Sequence, residues 1–105
     1  MVSTHLEKIF YHYLLSRKEL VDVVSNRFFE TEDIKRIYDI TKEFVEKYST
    51  IPTKAQIVEL TKVKGLQEDL TETKVDSLFD VRLGEYDEDW LQQTAESWIE
   101  YKNLD

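Results

Sequence analysis

The side chains able to do chemistry in this chain are few, and their spacing argues against it. His5 and His12 stand two helical turns apart on an apolar, helix-patterned segment, about 10 Å along its axis. That is too far to share a metal through bonds of about 2 Å, so both read as surface or boundary residues. Glu85, Asp87, Glu88 and Asp89 have the charge of a calcium loop but lack its alternating Asp or Asn ligands, internal Gly and distal Glu. They read as a solvated helix start. Asp76 and Asp80 share a helix face at i,i+4, the placement of paired catalytic carboxylates, yet the pattern around them supplies no nucleophile and no fixed base. A phosphate-binding loop needs two glycines at fixed spacing before Lys and Ser or Thr, and the only glycines are Gly65 and Gly84. Ser and His are present without a spacing that argues for a triad, and cysteine is absent. The expectation is a chain that is not an enzyme and holds no cofactor and no metal.

The elements that carry these residues follow from composition and period. With 105 residues, 41% hydrophobic and 12% aromatic, the chain supports one modest core and one domain, residues 1–105. Two Gly and one Pro leave little for hairpin turns, and the abundance of Glu, Lys and Leu favours helix, so the fold class is all-α, a compact bundle of about six helices. The lack of cysteine suits an intracellular protein. Glu7 and Lys8 interrupt the first apolar pattern and no apolar run is long, so neither a signal peptide nor a membrane span is expected; the protein is assigned to the cytoplasm.

The formal net charge of −8 is unevenly placed. Basic and acidic residues cancel from Met1 to Lys54, nine against nine, while from Ala55 to Asp105 five basic residues face thirteen acidic ones. Nucleic-acid affinity requires clustered Lys or Arg, so direct DNA binding by the second half is disfavoured. Lys35, Arg36, Lys42 and Lys47 form no clean stripe, because Asp33, Asp39, Glu43 and Glu46 interrupt them, and Glu32 to Arg36 and Glu43 to Lys47 have the favourable i,i+4 order of a salt-laced solvent face.

Helix signals recur along the chain. The first helix is predicted from about Thr4 to Leu15. Ser16 with Glu19 reads as a capping box for a second helix that carries Leu20, Val23 and Val24 and ends near Asn26. Phe28 and Phe29 fall in a connector, where at least one should plug the core beneath a long third helix, Glu32 to Tyr48, with Thr31 as its N-cap and Ile34, Ile37, Tyr38, Thr41, Phe44, Val45 and Tyr48 as its apolar stripe. Pro52 holds Ile51 extended, and Thr53 with Gln56 caps a fourth helix that stops at Gly65. A fifth starts after Thr71 and buries Val75, Leu78 and Phe79, with Leu83 as a further candidate. Asp87, Glu88 and Asp89 place negative charge at the start of a sixth, where its dipole favours it. Predicted core residues are Phe29, Ile37, Tyr38, Phe44, Leu60, Leu78 and Phe79.

The sixth helix differs in kind. Trp90, Leu91, Thr94, Trp98, Ile99 and Tyr101 spread apolar surface over more than one face, and the pattern runs to Leu104 without a Gly or Asn stop. Such a helix either covers the core from one side or presents aromatic anchors to a partner, and some residues serve each purpose. The candidate interface is Trp90, Leu91, Thr94, Trp98, Tyr101 and Leu104.

The order of these pieces resembles the N-terminal domain of replicative hexameric DNA helicases of the DnaB-like group, with a phage-like flavour. The residues that carry the resemblance are Phe29 ahead of the long helix, the Ile37-Tyr38 pair within it, and Ile51-Pro52-Thr53 before the next; where many cellular members have Gly before the Pro, this chain has Ile51. Leu6, Ile9, Phe10, Leu14 and Leu15 match more weakly the short first helix of such domains, and Trp90 opens the helix that begins a protruding hairpin. The resemblance implies a non-catalytic domain that pairs with neighbouring subunits in the collar of a hexamer and docks a primase or a helicase loader. It also implies that Trp98, Tyr101 and Leu104 lead into a hairpin of which Asp105 would mark only the beginning, and that the motor domain lies outside this chain. The alternative is a complete small acidic helical adaptor or inhibitor that binds a basic surface of another protein.

Overall fold

The computed structural model describes residues 3–104. Among them are six α-helices and no strand: α1 (Thr4–Leu15), α2 (Lys18–Val21), α3 (Glu32–Tyr48), α4 (Lys54–Val63), α5 (Glu72–Phe79) and α6 (Glu88–Asn103), with single 3-10 turns at Asn26–Phe28 and Leu83–Glu85. No helix among the described residues is long and apolar enough to cross a membrane.

Most helix ends are set by residues within four positions of them. Ser3, Thr53, Thr71 and Asp87 each accept a hydrogen bond from a backbone N–H in the first turn, and at α4 the box is complete, with Gln56 Oε1 accepting in return from Thr53 N–H at 2.8 Å. Each such bond satisfies a donor that the helix itself leaves unpaired. α4 stops at Gly65 with φ +71°, and the Leu66 N–H bonds Thr61 O while the Gly65 N–H bonds Lys62 O. That pair of bonds is a Schellman motif, and it turns Leu66 back onto the core.

Two predicted caps do not form. Ser16 closes α1 instead of opening α2, its hydroxyl donating to Tyr13 O at 2.6 Å, and Arg17, with no side-chain cap bond, stands at the N-cap of α2. The second helix is accordingly a single turn that ends at Val21, and Val23, predicted on its apolar face, is exposed. Thr31 occupies the N-cap position of α3 but makes no cap bond with its side chain. The Glu7 carboxylate of α1 instead holds the chain that enters the helix: it is fully buried and accepts from the backbone N–H groups of Glu30 and Thr31 at 2.6 and 2.9 Å, just ahead of the first turn.

α1 lies at the centre and packs against α2, α3, α5 and α6, while α3 also carries α4, α5 and the first 3-10 turn. Phe28 and Phe29 are both buried, Phe29 against Tyr38 with ring centroids 5.0 Å apart. Of the predicted core, Phe29, Ile37, Tyr38 and Leu78 are buried. Phe44, Leu60 and Phe79 are only half-buried: α4 covers the last turns of α3 from one side alone and leaves Phe44 against the exposed ring of Tyr48, 4.7 Å away, while Phe79, at the end of α5, meets Tyr11 and His12 of α1 edge-on.

Candidate interaction surface

α6 begins at the Asp87 cap and crosses α1, and its stripe toward the core is Leu91, Ala95 and Trp98, all buried, at the i, i+4, i+7 positions of one face. Trp98 stacks on Phe10 at 4.6 Å and 20° and meets Phe28 and Phe29 at 5.9 and 5.1 Å. Two members of the candidate interface are thereby corrected to core residues: Trp98, seated among Phe10, Phe28 and Phe29, and Leu91, which turns inward on the same face and shows only an edge at a surface hollow. Trp98 Nε1 has no hydrogen-bond partner among the described residues, the one buried side-chain polar atom of which this is true. Thr94 is half-buried. Trp90, Tyr101 and Leu104 remain on the surface at 44, 63 and 86% exposure.

The exposed part of α6 is bordered by groups that the sequence reading did not assign to it. Trp90 stacks on Tyr86 at 5.7 Å and 19°, and the Tyr86 hydroxyl meets His5 Nε2 at 3.0 Å. Beside Tyr86 a hollow of about 390 Å³ lies between the end of α1 and the start of α6, with Leu83 and Leu91 in its wall. A second hollow, about 320 Å³, continues from it between α2 and α6, with Leu20 and Ile99. Tyr13 and Arg17 line both, so the two hollows adjoin and together make a groove beside α6 that these two side chains divide. The Arg17 guanidinium lies 5.4 Å over the Tyr13 ring. A broader apolar recess of about 600 Å³ opens between α3 and α4, around Phe44, Tyr48 and Leu60.

The charge around these surfaces is unequal. Ion pairs tie α3, α4, α5 and the loop before α5 together: Arg36 with Glu32 and Asp69, Lys54 with Asp76, Lys62 with Glu59, Lys64 with Glu43 and Lys74 with Asp33. Lys102 pairs with Glu30 at the far end of α6. Glu19, Glu88, Glu96 and Glu100, which border the groove, enter no ion pair among the described residues.

The histidines serve the fold. His12 donates from Nε2 to Leu78 O at 2.9 Å and lies edge-on to Tyr11 and Phe79, and burial pulls its pKa below 6.5. Asp76 is engaged by Lys54, and no group of His, Asp and Glu among the described residues is arranged to hold a metal ion. The residue that sequence reasoning missed most clearly is Glu7. Its signal was present, since a carboxylate three and four positions before Phe10 and Tyr11 falls on the inward stripe of α1, where a charge persists only with hydrogen-bond partners. Comparison with known proteins finds no family model, no curated protein and no solved structure that matches this chain.

Proposed function

We propose that this chain is a non-catalytic interaction module, the N-terminal collar-type domain of a DnaB-like replicative DNA helicase, which pairs with neighbouring subunits and docks a primase or a helicase loader. One arrangement carries the reading. Phe29 packs on Tyr38 beneath α3, Ile37 is buried beside it, and Ile51-Pro52-Thr53 closes with Gln56 into the cap that starts α4 against α3. These are the residues on which the resemblance rests. α6 adds support, because its last turns keep Tyr101 and Leu104 outward while Leu91 and Trp98 anchor it inward, as a helix leading into a pairing hairpin would require.

The test is to read the source DNA beyond the codon for Asp105. A frame that stays open through the rest of a hairpin, a linker and a Walker A motif supports the collar assignment, and an immediate stop codon overturns it. In the longer chain, Tyr101→Glu is expected to leave helicity and melting temperature nearly unchanged and to weaken self-association measured by light scattering. A collapse of the fold would place Tyr101 in the core and overturn the division of α6. The second reading, a complete small acidic adaptor or inhibitor, is favoured by the unpaired carboxylates beside α6 and takes precedence if the stop codon is found.

A further inference from the structure

The groove between α1, α2 and α6 has a wall of apolar side chains and a border of uncompensated negative charge. Leu83 and Leu91 line one hollow and Leu20 and Ile99 the other. Glu88 stands beside the first, and Glu19, Glu96 and Glu100 beside the second. Four carboxylates thus face one guanidinium, that of Arg17, which lies over the Tyr13 ring where the hollows meet. At the recess around Phe44, by contrast, the flanking carboxylates Glu43 and Glu59 are each met by a lysine.

We propose that this groove is the docking site of a basic amphipathic helix of a partner protein. The chemistry of the occupant follows from the complementarity: apolar side chains for the two hollows, Lys or Arg for the four carboxylates. Its spacing follows from α6. Leu91 and Ile99 are eight residues apart, so the hollows are about 12 Å apart along the helix. A helix lying along α6 reaches both with apolar residues at i and i+7 or i+8, and carries its basic residues on either side of that stripe. The inference rests on the docking role within the proposed function and is independent of subunit pairing.

The probe is a fluorescein-labelled Leu/Lys amphipathic peptide of about 15 residues, titrated with the protein and followed by anisotropy, beside a scrambled peptide of the same composition. The amphipathic peptide is expected to bind more tightly than the scrambled one, and the double variant Glu96→Lys/Glu100→Lys to weaken it by about tenfold, the effect of two lost exposed charge pairs. Glu43→Lys/Glu59→Lys makes the same change of net charge at the recess between α3 and α4 and is expected to change affinity by less than about twofold. Equal weakening by the two double variants would reduce the attraction to net charge and overturn the site, as would equal binding of the scrambled peptide. The reading frame plays no part in this assay, so a stop codon after Asp105 leaves the groove assignment standing and a failed titration leaves the collar assignment standing.

Discussion

Glu7 is the residue on which the packing of α1 against α3 turns. A carboxylate facing the core is costly unless its oxygens are hydrogen-bonded, and here both accept backbone N–H groups at the positive end of the α3 dipole. Glu7→Gln keeps the shape but replaces one acceptor by an NH2 that confronts a backbone donor. It is expected to destabilise the fold by about 1.5–3 kcal/mol, read as a lower urea midpoint at unchanged m-value. Trp98 is held by the opposite kind of force. Its indole forgoes a hydrogen bond and is retained by three aromatic neighbours, so Trp98→Ala should cost about 3–5 kcal/mol, while Trp90→Ala, at a largely solvated position, should stay within about 1 kcal/mol of the parent. A reversed order in denaturant melts would return Trp98 to the surface.

Helix starts show which locally encoded signals carry energy. Thr53 and Gln56 satisfy each other's orphan donors at the start of α4, so Thr53→Ala is expected to cost about 1 kcal/mol. Thr31 holds the same position on α3 with no side-chain cap bond, its hydroxyl only approaching that of Thr4 at 3.3 Å, and Thr31→Ala should change stability by less than about 0.5 kcal/mol. Equal losses in the two variants, by calorimetry, would mean that the Thr31 hydroxyl contributes as much as a capping side chain. The stripe of α3 is similarly graded along its length. Ile34, Ile37, Tyr38, Ile40, Thr41 and Val45 are buried, but the helix outruns its cover beyond Val45, leaving Tyr48 exposed, with Phe44 half-buried at the edge of the stripe. Phe28→Ala should therefore cost the full 3–5 kcal/mol or so of a buried ring, and Phe44→Ala clearly less.

The molecule as a whole is poised against both acid and alkali by groups that its core keeps neutral. Burial lowers the pKa of His12 below its ordinary 6.5, so the unfolded chain takes up that proton first. This contribution is fully present above pH 6.5 and is lost as the pH falls from there toward the folded-state value. Tyr11 and Tyr38 shift the other way. Burial raises both above 10.0, and the charges of Asp22 and Asp39 push Tyr38 further in the same direction. Their contribution holds below pH 10 and is lost as the pH rises beyond it, because the unfolded chain ionises first. The melting temperature should decline on both sides of that window, and His12→Gln should flatten the decline just below pH 6.5. An unchanged acid slope in that variant would assign the effect to carboxylates instead.

What the amino-acid sequence determined by itself is the content and punctuation of the helices. The bounds of α1 and α4, the caps at Thr53, Thr71 and Asp87 and the stop at Gly65 all depend on residues within a few positions of one another, and no other part of the chain is needed to satisfy those donors and acceptors. Where the partner was distant in sequence, local pattern pointed elsewhere. Thr31 stands at the N-cap of α3 without a cap bond from its side chain, while its backbone N–H is held by a carboxylate twenty-four positions earlier. The aromatics of α6 have apolar surface on several sides, and periodicity cannot say which side faces inward. Only the socket of Phe10, Phe28 and Phe29 decided that Trp98 turns in while Tyr101 stays out, and only the approach of α2 and α6 to the end of α1 brought four carboxylates around one groove. Hydrogen bonds at helix ends are short-range and leave their mark in adjacent residues, whereas burial and the field of unpaired charge are sums over elements that meet only in the folded chain.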